Sequence, residues 1–231
     1  MNNVLNRYSK ITYKFPREFI LLQGKGCFWK KCTFCDYYSD TSDNAFETNR
    51  SVLQKVTGFN GVLDVINSGS TMEIDEKSID LLIKTVKEKN IKELWLEVHW
   101  AYRNVLEDFA KKFEGVTVKY RTGIETFDPN LRKFWNKGVP ENVTPFDVAK
   151  YFKSVCLLVG TEGQTFETVI SDIEIAQKYF ERFMINIFCP NITNVKPNHK
   201  LIDRFMKEIY PTIKDNPKIE ISLNTTDLGV G

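Results

Sequence analysis

The amino-acid sequence predicts an α/β fold built around a parallel sheet. Short apolar runs rich in β-branched and aromatic residues alternate with stretches of helical period over most of the 231 residues, as repeated βα units require. Each helical stretch follows a run, and crossovers of that kind are right-handed, so six of them curl in one direction. A closed eight-unit barrel takes about 250 residues, more than this chain has. The expected architecture is therefore a partial (β/α)6 TIM-type barrel, a parallel sheet with outer helices. No linker, repeat or low-complexity tract breaks the pattern, and a single domain over residues 1–231 is expected.

The elements follow in order. Phe19 to Gln23 is the first run, and the loop behind it holds three cysteines. After the second run, Val62 to Ser68, Asp75 opens a helix as its N-cap. Ile79, Leu82, Ile83 and Val86 form the apolar side of that helix, and charged residues form its wet side. Glu93 to His99 is third, and the next crossover is carried by Val105, Leu106, Phe109 and Phe113. Val116 to Ile124 is fourth, followed by Asp128-Pro129, the cap-then-proline form of a helix start. Behind the fifth run, Ser154 to Gly160, Thr165 caps a helix that places Val169, Ile173, Ala176 and Phe180 on one side. Phe183 to Cys189 is sixth. Leu201 to Tyr210 reads as one more helix stopped by Pro211, and Lys218 to Leu223 as a weak strand.

Composition narrows the function classes. Thirty-two basic residues stand against 30 acidic ones, a formal +2, far from the concentrated positive field of a nucleic-acid binder; a small-molecule partner is expected. No apolar run approaches the roughly 20 residues that span a bilayer, and the opening MNNVLNRYSKITYKF lacks the apolar centre of a secretion signal. The expected location is the cytosol. Cys156 and Cys189 stand alone in apolar runs, where cysteine is usually a small core residue.

The other three cysteines, Cys27, Cys32 and Cys35, fall within nine residues in the pattern C-x4-C-x2-C. Ligands in parallel sheets sit outside the carboxyl ends of the strands, and this loop leaves the first strand there. Three thiolates can bind three irons of a cubane and leave the fourth open to an exogenous chelating group. Zinc is the competing metal. It favours four sulfur or nitrogen ligands, and the fourth would come from His99, His199, Cys156, Cys189 or a carboxylate, giving a zinc-stabilised binding module without catalysis.

A cysteine triplet after the first strand, with the aromatic Phe34 just before the last cysteine, resembles the radical S-adenosylmethionine superfamily. The spacing departs from the usual C-x3-C-x2-C by one residue. The resemblance implies a [4Fe-4S] cluster on Cys27, Cys32 and Cys35, S-adenosylmethionine (SAM) on the open iron, and its reductive cleavage to a 5′-deoxyadenosyl radical that abstracts hydrogen from a substrate. Ser68, Gly69 and Ser70 stand where the superfamily has a small-residue turn that holds the cofactor's amino group. Thr122 to Asp128, with Lys137-Gly138, is similar to the fourth-strand segment of the branch of anaerobic coproporphyrinogen oxidase and Elongator. It implies that Glu125 binds the cofactor and Lys137 faces its carboxylate. Glu97 matches a further acidic cofactor contact, and Phe34 belongs to the same set. Leu157 to Thr165 is similar to that branch's fifth strand with its glycine turn.

Polar residues near strand ends and not assigned to the cofactor are Asp36, His99, Arg121, Asn186 and Asn191, the expected substrate contacts. Size and the enlarged cysteine spacing resemble the queuine lyases of that superfamily, which release 7-aminomethyl-7-deazaguanine from queuine. That likeness implies a 7-deazapurine substrate and an electron donor such as flavodoxin or ferredoxin.

Overall fold

The computed structural model describes residues 5–231; residues 1–4, the start of the stretch read for a leader, lie outside it. Contacts group the chain into two compact units, one of residues 1–28, 37–120 and 225–231 and one of residues 29–36 and 121–224.

In the first unit, β1 (Tyr8–Ile11) pairs antiparallel with β2 (Arg17–Leu22), which pairs in parallel with β3 (Val62–Asn67), and β3 with β4 (Glu93–Glu97). The crossovers are α1 (Ala45–Leu53) and α2 (Glu76–Glu88). Asp75 caps α2 by accepting from Ser78 N, and Ile79, Leu82 and Val86 are buried, as their spacing predicts. The third crossover differs from expectation. Val105 is exposed, and only α3 (Leu106–Ala110) follows a short 3-10 turn. Every residue of β2 is buried, including two charges that burial would penalise unless paired. Arg17 Nε lies 2.8 Å from Asp64 Oδ2, and Glu18 accepts from Tyr8 Oη and from Thr57, Gly58 and Phe59 N.

The strand β5 (Thr117–Glu125) begins in this unit, where Thr117 N donates to Lys92 O, and ends in the second. There β5, β6 (Ser154–Val159), β7 (Arg182–Ile187) and β8 (Ile219–Ser222) pair in parallel in that order. The helices are α4 (Pro129–Phe134), α5 (Pro145–Tyr151), α6 (Phe166–Tyr179), α7 (His199–Glu208) and α8 (Tyr210–Ile213). Asp128 caps α4 and Thr165 caps α6, as predicted. Pro211 does not stop α7, which ends at Glu208; it sits in the first turn of α8, where its missing N–H is not needed. The six expected strands are β2 to β7, the weak seventh is β8, and helices alternate with parallel strands as a partial barrel requires. Among the described residues no helix is long and apolar enough to cross a membrane.

Candidate active site

Of the loop cysteines, Cys27 falls in the first unit and Cys32 and Cys35 in the second. In the first unit the loop is held by Glu73. Its Oε1 accepts from Phe28 N at 2.9 Å and from Tyr102 Oη at 3.2 Å, and its Oε2 accepts from Ser70 N at 2.7 Å. One carboxylate thus ties the cysteine loop to the loops behind β3 and β4. Burial, then Glu73, pushes the Tyr102 phenol up to about 12, so it stays a donor. Gly69 lies against the cysteine backbone: a Cβ there would stand 2.8 Å from Cys27 Cα and N and 2.0 Å from Glu73 Oε2.

The expected turn residues are accordingly engaged within the protein. Ser68 Oγ donates to Asp40 O at 2.7 Å, and Ser70 Oγ accepts from His99 N at 2.9 Å. Asp40 also accepts from Arg7 and Gln23; burial works to raise its pKa, but the Arg7 guanidinium prevails and holds the carboxyl below its ordinary range. Asn67 Nδ2 donates to Ser70 O, while its buried Oδ1 accepts no hydrogen bond. Glu97 ends β4 with its carbonyl accepting from Thr71 Oγ1. His99 lies two residues past the strand and caps the 3-10 turn by accepting from Ala101 N at Nδ1. Its ring meets Phe28 edge-on at 5.5 Å.

In the second unit the loop docks on the end of α4. Trp29 Nε1 donates to Asn136 O at 2.7 Å and Thr33 N to Trp135 O at 3.0 Å. The Phe34 and Trp135 rings meet at 5.5 Å within an apolar cluster that includes Leu131, Leu158 and Phe188, and Cys32 and Cys35 pack against it. Asn191 Nδ2 donates to Phe34 O at 2.7 Å, and Asp36 accepts from Ile192 N. Two expected substrate contacts therefore brace the cysteine loop.

Glu125 and Lys137 come together as a buried ion pair, Nζ to Oε1 at 2.7 Å. A register shift between Gly123 and Glu125, with Glu125 at φ +66°, turns the carboxylate back over Gly123, where a Cβ would stand 2.4 Å from Oε1. Burial works against the Lys137 charge, but Glu125 and the Cys32 and Cys35 sulfurs raise its pKa above the ordinary lysine value. The ammonium also lies 5.7 Å from the Phe34 ring centroid. Arg121 is buried opposite Ser154, the first residue of β6, well below the carboxyl end. Asn186 is the penultimate residue of β7.

These surroundings fit an iron–sulfur cluster in donor chemistry. None of the three loop cysteines forms a disulfide and each is partly accessible; Cys32 and Cys35 have an apolar backing and a cation nearby. Among the described residues no three His, Cys, Asp or Glu side chains are already gathered as a metal cage. The buried, unused Asn67 acceptor beside the Ser68–Ser70 turn fits a donor such as an amino group.

No protein-family model and no curated protein matches the chain. Among solved structures, a queuine lyase from Clostridium spiroforme bound to SAM and queuine is 39% identical, covers 99% of this chain and 100% of its own, and superposes with a TM-score of 0.94. The chain belongs to the queuine lyase family. The radical SAM superfamily read from the cysteine loop is thereby the right one. Two more distant structures share the fold alone. SuiB of Streptococcus suis bound to S-adenosylmethionine is 14% identical over 91% of this chain and 48% of its own (TM-score 0.56), and methylornithine synthase 15% over 92% and 73% (0.55).

For this queuine lyase family member, residue-by-residue reading missed the braces. Glu73 carried a signal, the S-x-x-E spacing from Ser70 that marks a capping box. Trp29, Asp40 and Asn67 carried none that is local.

Proposed function

We propose that this chain is a queuine lyase, which uses SAM and one electron to cleave queuine and release 7-aminomethyl-7-deazaguanine. The observation that carries the reading is 39% identity along the full length of a queuine lyase bound to SAM and queuine. Cys27, Cys32 and Cys35 would hold a [4Fe-4S] cluster. When bound, cluster and SAM supply one-electron cleavage of the sulfonium and hydrogen abstraction from the substrate.

The residues of the chain bind and orient. The Ser68–Ser70 turn with Asn67 Oδ1 offers acceptors to the cofactor's amino group, and Lys137, kept cationic by Glu125, offers a charge to its carboxylate. Glu97 and Phe34 complete that set. Trp135 and Phe34 keep water from one side of Cys32 and Cys35, where low polarity strengthens every charge contact. Asp36 and Asn191 position the loop, and Asn186 faces the substrate. Arg121, buried below the carboxyl end of the strands, is withdrawn from the substrate contacts, whereas His99 caps the turn behind β4 with its ring on Phe28 and is kept as one. The electron comes from a carrier of the flavodoxin or ferredoxin type, and residues 1–231 serve as one functional domain.

Anaerobic reconstitution with iron and sulfide, then queuine, SAM and a reductant, tests this. The product 7-aminomethyl-7-deazaguanine should form only with all three present. C27A, C32A and C35A should each abolish it, whereas C189A should retain iron. SAM cleavage without attack on queuine would mean another substrate, and an iron-loaded protein that leaves SAM intact would refute the class.

A further inference from the structure

Asparagine is disfavoured in strands, yet Asn186 sits in the apolar stretch Phe183-Met184-Ile185-Asn186-Ile187 of β7. Side chains alternate along a strand, so Met184 and Asn186 share one face while the fully buried Phe183 and Ile185 take the other. The register places Asn186 opposite Leu158 of β6 and Ser222 of β8. Leu158 packs in the cluster with Phe34 that backs Cys32 and Cys35, so the face that carries Asn186 is the one turned to the cysteine loop. One step down the same face the register runs Gly123, Cys156, Met184, and Gly123 is where Glu125 and Lys137 fold back.

The Asn186 carboxamide forms no hydrogen bond with any described residue and is partly exposed. Three other asparagines of the fold are committed. Asn49 bonds Gln23 and Ser78, Asn191 bonds Phe34 and Thr193, and Asn198 caps α7. The neighbouring Ser222 hydroxyl donates to Asn224 O. Asn186 therefore presents an unused donor beside an unused acceptor over an apolar floor of Leu158, Met184 and Cys156.

We propose that Asn186 reads the lactam edge of the substrate's 7-deazapurine ring, its carbonyl accepting from the ring N–H and its amide donating to the adjacent ring carbonyl. The two side-chain groups match that edge in order and spacing, as carboxamides do when they pair in two-point fashion with purine edges. The apolar floor suits a heterocycle. The assignment rests on the queuine lyase reading.

Equilibrium binding of queuine to the reconstituted wild type and to N186A and N186V, with SAM present, tests it; valine suits a strand and covers the case in which alanine destabilises the sheet. Both variants should bind about 10- to 100-fold more weakly, with the loss appearing in KM more than in kcat. A queuine analogue lacking the lactam oxygen should lose a similar factor with the wild type and little with N186A. Full affinity in both variants, or losses that multiply independently, would overturn the inference alone. A wild type that neither binds nor cleaves queuine would overturn the functional reading and this inference together.

Discussion

Gly69 and Gly138 each receive a residue of the cysteine loop, and they do so in different ways. Gly69 meets backbone, Cys27 Cα and N, with the Glu73 carboxylate wedged on the same side. Gly138, at φ +76°, has the Trp29 ring nearest to it, with one ring atom 2.6 Å from where a Cβ would stand. The Cys27 backbone adjoins Phe28 N, which donates to a carboxylate that also accepts from Ser70 N and Tyr102 Oη, and so has nowhere to go, whereas an indole can tilt. The first seat fixes where Cys27 is, and the second fixes how the loop approaches the Lys137 turn. The two ends of the cysteine loop are thus held with unequal stiffness.

The largest effect is expected at the stiff seat. G69A must displace either Cys27 or Glu73, and overpacking of this kind costs about 3 kcal/mol, roughly 10 °C in Tm for a chain of this size. Iron bound per chain should fall with it, because the displaced group is a proposed ligand. A G69A protein that melts with the wild type and takes full iron would show that this seat yields, and the contrast would be lost.

Asp172 holds the start of α4, the helix that leads to the second seat. Its Oδ1 accepts from Phe127 N at 2.6 Å, just ahead of the α4 cap, and its Oδ2 is buried with no hydrogen-bond partner. Burial raises the carboxyl from 3.8 to about 7. The folded chain thus keeps a proton that the unfolded chain releases above about pH 4. The stabilisation is complete below that pH and fades as pH rises from about 4 to about 7, by on the order of a few kcal/mol. D172N should flatten that slope in chemical denaturation series across the window. An unchanged slope would remove Asp172 from the support of α4.

G138A should cost less, about 1–2 kcal/mol, mostly for an L-residue forced to positive φ. In a W29A background the ring's share should vanish and the φ share remain, so the double-mutant cycle measures the looseness of the seat directly. A coupling as large as the whole G138A loss would mean that the ring is as immovable as the Cys27 backbone.

These seats also mark what the sequence made legible. Strands β2 to β8 and the caps Asp75, Asp128 and Thr165 were readable because periodicity and cap chemistry are local. The edge strand β1 was not, since Tyr8–Ile11 alternates weakly and becomes a strand only by pairing with Arg17–Ile20. Among site residues, the cysteines, Glu125 and Lys137 could be named from spacing and resemblance. Their mutual ion pair could not, because it needs a register shift and a positive φ at Glu125. Asp36 and Asn191 read as substrate contacts since polar residues near strand ends invite that reading; their tie to the cysteine loop joins positions more than 150 residues apart.

The smallest expected effect is W29F, and it separates bond from packing at the looser seat. Lys30 at φ +50° and Asn136 at φ +51° are both in the left-handed region that non-glycine residues avoid. The indole N–H to Asn136 O bond joins the two strained turns. Phenylalanine keeps most of the ring over Gly138 but lacks the donor, so the loss should be about 1 kcal/mol, read as a Tm shift of roughly 2–4 °C. Iron content should follow stability only weakly, because Thr33 N to Trp135 O and the Phe34 packing still hold Cys32 and Cys35. W29A should add the cost of the emptied seat. If W29F instead lost iron as completely as G69A, the single hydrogen bond would be holding the loop, and the second seat would be the stiff one.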